Sequence, residues 1–271
     1  MTGCSTGIGR ATALEAAERG HRVFASARRR EDVSDLAAKG IETLALDVTD
    51  PDSIGEAVRE VLRSAKRIDA LVNNAGYGQY GAIEDVSLDE WRAQFEVNVF
   101  GAIAVLRAVL PAMRAARGGT VVNVSSLAGR VTIPFAGAYC ASKHALEAIS
   151  DALRVEVSPW GIRVALVEPG PISTRFGDRA RQATTRILAV PGPYSRFYDG
   201  AERASNKEFQ MGKRAPEAVA RVIVDAIESK RPKTRYRIAP LAKILVPLKA
   251  LVSDRFLDRR MKRMLRLPDR I

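Results

Sequence analysis

The sequence predicts an α/β fold, a doubly wound parallel sheet with helices on both faces, and three observations lead there. Short apolar and β-branched runs alternate with longer segments of helical period. Several of those runs are apolar almost throughout, as strands buried on both faces must be. A glycine-rich turn near the start leads straight into a helix, the usual entry to a strand–helix unit.

In chain order, the first helix runs from the glycine turn to about Arg19 and stops at Gly20. Strands are expected at Val23 to Ala27, Thr43 to Leu46, Ala70 to Asn73, Thr120 to Val124, Arg163 to Val167 and Tyr236 to Ile238. Gly40 ends a second helical segment, and Asp50-Pro51 supplies an N-cap and a first-turn proline for a third. A long apolar helix carries Asn98. Between Arg175 and Gly212 the periodicity weakens and Phe176, Tyr194, Phe197, Tyr198 and Phe209 stand among polar residues, which reads as a substrate lobe at about 175–213. A helix from about Pro216 to Ser229 and the last strand complete a single domain over 1–240, with a tail over 241–271.

Composition narrows the function classes. The 46% apolar content suits a folded globular chain, and the two cysteines, Cys4 and Cys140, are too far apart and too few for a disulfide framework. A reducing cytoplasm is the expected compartment. No run of about 18 uninterrupted apolar residues is present, so a membrane span is not expected. The net charge of +12 is concentrated at one end, because Lys230 to Ile271 holds fourteen Lys or Arg against three Asp. The remaining body is close to neutral and gives no support for a nucleic-acid partner. His21 and His144 lack a paired carboxylate or nucleophile and read as structural.

The opening turn is Thr2-Gly3-Cys4-Ser5-Thr6-Gly7-Ile8-Gly9. Glycines there let a backbone approach a pyrophosphate, and the helix start offers unpaired N–H groups with partial positive charge. At the end of the next strand, where NAD enzymes place an acidic residue on the ribose hydroxyl, the sequence has Ala27 and Arg28. A guanidinium can pair with a 2'-phosphate that a carboxylate would repel, so NADP (NADPH) is favoured and NAD is the weaker candidate. Tyr139 and Lys143 are four residues apart on one helix and share a face. A cation at about 4 Å and an effective dielectric near 20 contributes roughly 4 kcal/mol, enough to lower the phenol by on the order of three pKa units.

With Asn73-Asn74-Ala75-Gly76 after the strand at 70, Asn98 in its helix, and Ser126 followed by Tyr139 and Lys143, the chain closely resembles the short-chain dehydrogenase/reductase family. The likeness runs motif by motif over about residues 2–175 and in layout to about 240. It implies a Rossmann-type dinucleotide-binding catalytic domain that interconverts a carbonyl and an alcohol by hydride transfer, on a small-molecule substrate that the lobe aromatics suggest is apolar. The resemblance makes Tyr139 the general acid/base and, with Lys143, a cofactor-binding residue, Ser126 the group that orients the substrate oxygen, and Lys143 the holder of the nicotinamide ribose. Asn98 joins a water-mediated proton relay through Lys143. It assigns Gly3, Ser5, Thr6, Gly7, Ile8 and Gly9 to the pyrophosphate, Asp47 and Val48 to the adenine, and Asn74, Ala75 and Gly76 to the cofactor cleft. Pro169, Gly170, Ile172 and Thr174 form a loop over the nicotinamide, and a homodimer or homotetramer is built from the helices carrying Asn98 and Tyr139. The alternative is a non-catalytic NADP-binding scaffold or sensor of the same fold, for which an intact Ser126, Tyr139 and Lys143 set has no use.

One departure from the family pattern stands out. A whole strand is expected ahead of Thr2, and only Met1 is there. The loss of about five buried apolar side chains would cost something like 7 to 15 kcal/mol, a whole domain's stability, so an upstream start or a poorly folding chain is expected. In the tail, Leu241, Ile244, Leu245, Leu248, Leu251, Val252, Leu257, Met261, Met264 and Leu265 recur at near-helical spacing among basic residues. Such an amphipathic helix could cover the protein's own surface, join a second subunit or make peripheral membrane contact.

Overall fold

A computed structural model describes residues 1–174, 176, 185–187, 189, 192–198, 214–239, 246, 252–265 and 267–268. Most of the expected substrate lobe at 175–213, and 240–251 of the tail apart from Val246, lie outside the described residues. The described helices are α1 (Gly7–Glu18), α2 (Pro51–Ala65), α3 (Leu88–Phe95), α4 (Gly101–Ala115), α5 (Gly137–Glu156), α6 (Pro216–Glu228) and α7 (Asp254–Leu265). The strands are β1 (Phe24–Ala27), β2 (Glu42–Ala45), β3 (Ala70–Asn73), β4 (Gly119–Val124), β5 (Ile162–Glu168) and β6 (Arg235–Arg237). Each strand falls within a residue or two of its sequence expectation.

All pairings are parallel. β1 pairs with β2, and β3, β4, β5 and β6 form a second sheet in that order. Between the two sheets run residues 1–4. Met1 N donates to Phe24 O (2.8 Å), Ser26 N to Met1 O (3.0 Å), Cys4 N to Ser26 O (2.8 Å) and Thr2 N to Val72 O (3.0 Å). The gap expected ahead of Thr2 is thus partly closed by backbone hydrogen bonds that reach both sheets, and Met1 packs against the apolar residues on either side.

Register fixes where the site must form. Asn73 pairs with Asn123, Val124 with Val167 and Glu168 with Arg237, so the carboxyl ends of β3, β4 and β5 lie side by side. The segments leaving them begin at Asn74, Ser125 and Pro169, at the edge where ligands bind in open α/β sheets. Cys4 and Cys140 are both buried and free.

The long helix expected around Asn98 is continuous from Leu88 to Ala115 but changes geometry in the middle, where Glu96–Phe100 forms one π-helical turn. By length and apolar composition this stretch could cross a membrane. Here its inner face, Val99, Ala102, Val105, Leu106, Val109 and Met113, is buried against the sheet, and Gly101 leaves room for Val48. On the other side of the molecule α6 packs on α1, with Arg19 joined to Asp225 (2.7 Å) and Glu228 (2.9 Å).

Candidate active site

The glycines of the opening turn are required by close packing. Gly3 has φ +69°, and a Cβ there would lie 2.8 Å from Ala75 Cα. A Cβ at Gly9 would lie 2.4 Å from Gly3 O and 2.5 Å from Asn74 Nδ2. Asn74 is the clasp, since its Nδ2 donates to Thr2 O (3.1 Å) and Gly3 O (3.0 Å) while the Asn74 and Ala75 amides donate to Thr2 Oγ1 (both 3.0 Å). The first N–H groups of α1 carry no side-chain cap, because Thr6 in the N-cap position makes no such bond. An uncapped helix start beside a cavity of about 600 Å³, lined by Ser5, Thr6, Gly7, Arg10, Ser173 and Thr174, fits an anionic pyrophosphate. Thr174 reaches this turn from the loop after β5, so near that Gly7 could hold no side chain.

That loop is held at both ends. Pro169 O accepts from Leu127 N (2.9 Å), Gly170 lies against Ala239, and Ile172 pairs with Arg214. At the end of β1 the three arginines have separate fates. Arg29 pairs with Asp32 (2.7 Å) and Arg30 Nε donates to Thr43 Oγ1 (3.3 Å), whereas exposed Arg28 makes no bond to another described residue. Asp47 accepts from Thr49 N (2.9 Å) and Thr49 Oγ1 (2.8 Å), leaving Asp50 as the cap of α2, and Val48 is buried on α4.

Around the expected catalytic group the structure brings Ser126, Tyr139 and Lys143 together, and holds the Asn98 side chain by bonds to neighbouring segments. Ser126 caps a short 3-10 turn, accepting from Ala128 N (3.1 Å), and it hydrogen-bonds with Tyr139. Lys143 is buried, and its Nζ donates to Val124 O (2.9 Å). Asn98 Oδ1 accepts from Tyr77 N (3.0 Å), and its Nδ2 donates to Tyr77 O (2.9 Å) and Ser142 Oγ (3.1 Å). The π-helical turn aims this amide at the backbone after Gly76, which lies between Asn98 and Lys143.

The electrostatics differ from what helical spacing alone leads one to expect. Burial pushes the Tyr139 phenol up to about 12, the hydrogen bond with Ser126 pulling the other way and Cys140 adding to the rise. Burial also lowers the Lys143 ammonium to about 8, with Glu147 opposing it. Spacing on a helix face says nothing of the cost of stripping water from the two groups, and burial is the largest influence on both.

Sequence reasoning missed several neighbours. The Tyr139 ring lies between Phe176 (centroids 5.5 Å apart) and Tyr80 (6.1 Å). Phe135, at φ +63° four residues before Tyr139, meets the rings of Tyr194 (6.4 Å) and Tyr198 (5.4 Å) from the lobe. Its Pro134-Phe135 setting carries no periodic signal, although aromatics near a site were the available clue.

Comparison with known proteins follows the same lines. A family described as short chain dehydrogenase matches residues 1–185. The NADPH-dependent 3-dehydrocapnine reductase of Ornithobacterium rhinotracheale is 36% identical over 268 residues, covering 96% of this chain and 94% of the relative. The 3-ketodihydrosphingosine reductase of Bacteroides thetaiotaomicron is 35% identical over 245 residues, covering 90% and 88%. Among solved structures, a short-chain dehydrogenase from Streptomyces avermitilis superposes with a TM-score of 0.79 at 33% identity, covering 92% of this chain and 91% of that one.

Proposed function

The chain belongs to the short-chain dehydrogenase/reductase family, whose members are oxidoreductases acting on CH–OH or C=O groups, and from that premise we propose that it is an NADP(H)-dependent carbonyl reductase with Tyr139 as its acid. The observation that carries the reading is the convergence of Ser126, Tyr139 and Lys143 at the carboxyl edge of the sheet, beside a glycine turn built for a pyrophosphate. The bound nicotinamide supplies the hydride. Tyr139 Oη gives its proton to the carbonyl oxygen, and Ser126 Oγ orients that oxygen as negative charge develops on it. Lys143, as an ammonium, favours the phenolate that remains and holds the nicotinamide ribose. Gly3, Ser5, Thr6, Gly7, Ile8 and Gly9 face the pyrophosphate, with Thr174 across from them. Asn74, Ala75 and Gly76 shape the cleft floor, Asp47 and Val48 flank the adenine, and Pro169, Gly170 and Ile172 cover the nicotinamide.

NADP is preferred to NAD because Arg28 makes no bond to another described residue while Arg29 and Arg30 are paired with Asp32 and Thr43, and because a relative is named as NADPH-dependent. The substrate is an apolar ketone, read from the aromatic rings of Tyr80 and Phe176 against Tyr139 and of Phe135 against Tyr194 and Tyr198. The name of one relative, a 3-keto lipid-type reductase, points the same way. Self-association through the helices carrying Asn98 and Tyr139 is supported by exposed Leu88, Phe100, Val155 and Trp160. Peripheral membrane contact is supported by α7, whose outer face carries Arg255, Arg259, Arg260 and exposed Phe256. The compartment is the cytoplasm. NADPH oxidation screened against a panel of apolar ketones and aldehydes tests the reading. Turnover is expected, with a loss of at least about 10²-fold in Tyr139→Phe while NADPH still binds. Full activity in that variant would refute it.

A further inference from the structure

We propose that Gln94, a buried amide just ahead of the π-helical turn, is a positioning residue of this site. It fixes the strip of backbone from Tyr77 to Gln79, and through that strip the two aromatic rings that set how an apolar ketone lies against Tyr139. The inference rests on the reading of Tyr139 and its ketone given above and adds a residue to it.

Gln94 is the last residue but one of α3 and is 0% exposed. A hydrocarbon side chain would fill the same space without the cost of burying an amide, so both ends of this amide need partners. The strip supplies them. Gln94 Oε1 accepts from Gln79 N (2.6 Å), and Gln94 Nε2 donates to Tyr77 O (2.9 Å). Asn98, four residues on and inside the π-helical turn, meets the same strip by accepting from Tyr77 N (3.0 Å) and donating to Tyr77 O (2.9 Å). Tyr77 O thereby fills both of its lone pairs, and two side-chain amides from one continuous helix bind the strip much as a neighbouring strand would.

What else the strip touches gives these bonds their consequence. A Cβ at Gly76 would lie 3.8 Å from Lys143 Nζ, and a Cβ at Gly78 would lie 3.1 Å from both Cε1 and Cζ of Phe176 and 3.2 Å from Tyr80 Cε2. Those two rings flank the Tyr139 ring, with centroids at 5.5 and 6.1 Å. Position separates the roles of the two amides. Asn98 holds Tyr77, next to Gly76 and the cofactor cleft, by both its N–H and its C=O. Gln94 reaches on to Gln79, past Gly78 and next to Tyr80. Without Gln94 the end of the strip that bears on the rings is the one that loosens. Gly78 has almost no room to spare against them, so a shift of about 1 Å in the strip is passed to the rings beside Tyr139.

The test compares kcat, KM and the NADPH dissociation constant of wild type and Gln94→Met, whose side chain has the same reach without the amide. The substrates are the bulkiest and the smallest apolar ketones that wild type reduces. Asn98 still holds the cofactor end of the strip, so NADPH affinity should stay near the wild-type value. For the bulky ketone kcat/KM should fall roughly tenfold further than for the small one, mostly through KM, since a misplacement of about 1 Å costs up to roughly 10²-fold. Gly78→Ala, which presses on the Phe176 and Tyr80 rings directly, should shift the same ratio. The double variant should add little to either single change, because both act through one pair of rings. Gln94→Asn, an amide too short to reach both Gln79 N and Tyr77 O, should give an intermediate shift and serves if Gln94→Met folds poorly. Equal losses on the two ketones, a lower Tm with the ratio unchanged, or full additivity with Gly78→Ala would overturn the proposal. A wild type that reduces no ketone, or an active Tyr139→Phe, would instead overturn the functional reading beneath it.

Discussion

Gly9→Ala is the substitution whose effect the structure sizes most directly. Gly9 is the third residue of α1, and by helix propensity alone alanine there would gain up to about 1 kcal/mol. Packing opposes that gain. The new methyl would lie 2.4 Å from Gly3 O and 2.5 Å from Asn74 Nδ2, against a carbon contact distance of about 3.5 to 4.0 Å, so the turn must retreat by roughly 1 Å. Overpacking of this kind costs about 1 to 3 kcal/mol. Loosening the two Asn74 Nδ2 bonds to Thr2 O and Gly3 O adds about 0.5 to 1.5 kcal/mol for each bond lost. After the helical gain is subtracted, a net loss of about 1 to 5 kcal/mol remains, or a Tm lower by roughly 2 to 20 °C for a chain of this size. NADPH affinity should weaken by about tenfold or more, since a displacement of 1 Å removes the pyrophosphate from the N–H groups of α1. The assay is thermal melting with and without NADPH, beside Gly118→Ala as control, because a Cβ at Gly118 meets nothing within 4 Å. Gly118→Ala should melt like wild type. If Gly9→Ala also melts within 1 °C of wild type and is stabilised by NADPH to the same extent, the account of the turn as a close-packed pyrophosphate cradle is wrong.

Other consequences can be checked separately. Arg28→Ala should raise the KM for NADPH about tenfold and leave that for NADH nearly unchanged, because an exposed guanidinium contributes less than a buried one; equal effects on both cofactors would remove Arg28 from the 2'-phosphate. Arg255→Glu/Arg259→Glu/Arg260→Glu should abolish flotation of the full chain with anionic vesicles, and vesicles of neutral lipid should not carry wild type; flotation unaffected by the triple change would rule out the tail as the contact. Phe100→Glu/Val155→Glu should shift the particle mass in light scattering toward a monomer with the melt otherwise cooperative, and an unchanged mass would place self-association elsewhere.

Much of the fold was legible in local sequence because strand and helix periods are local properties. The six strands stand out as short apolar or β-branched runs, and the helix stops at Gly20 and Gly40 coincide with left-handed glycines, φ +84° and +74°. The pairing of Tyr139 with Lys143 followed from helical geometry alone, and the glycine turn from the room a phosphate needs. Arg28 could be singled out from its neighbours only partly, since nothing local says that Asp32 and Thr43 would occupy Arg29 and Arg30.

What the chain order could not reveal depends on contacts between distant segments. Asn98 has its amide committed to Tyr77 and Ser142, Phe176 and Tyr80 enclose the Tyr139 ring, and Glu147 is pinned by an arginine 88 residues away. The acidity of Tyr139 and Lys143 belongs to the same class. Spacing determines that the two groups share a helix face, but how much water each loses is decided by every segment packed over them, and for both groups that burial is the largest influence.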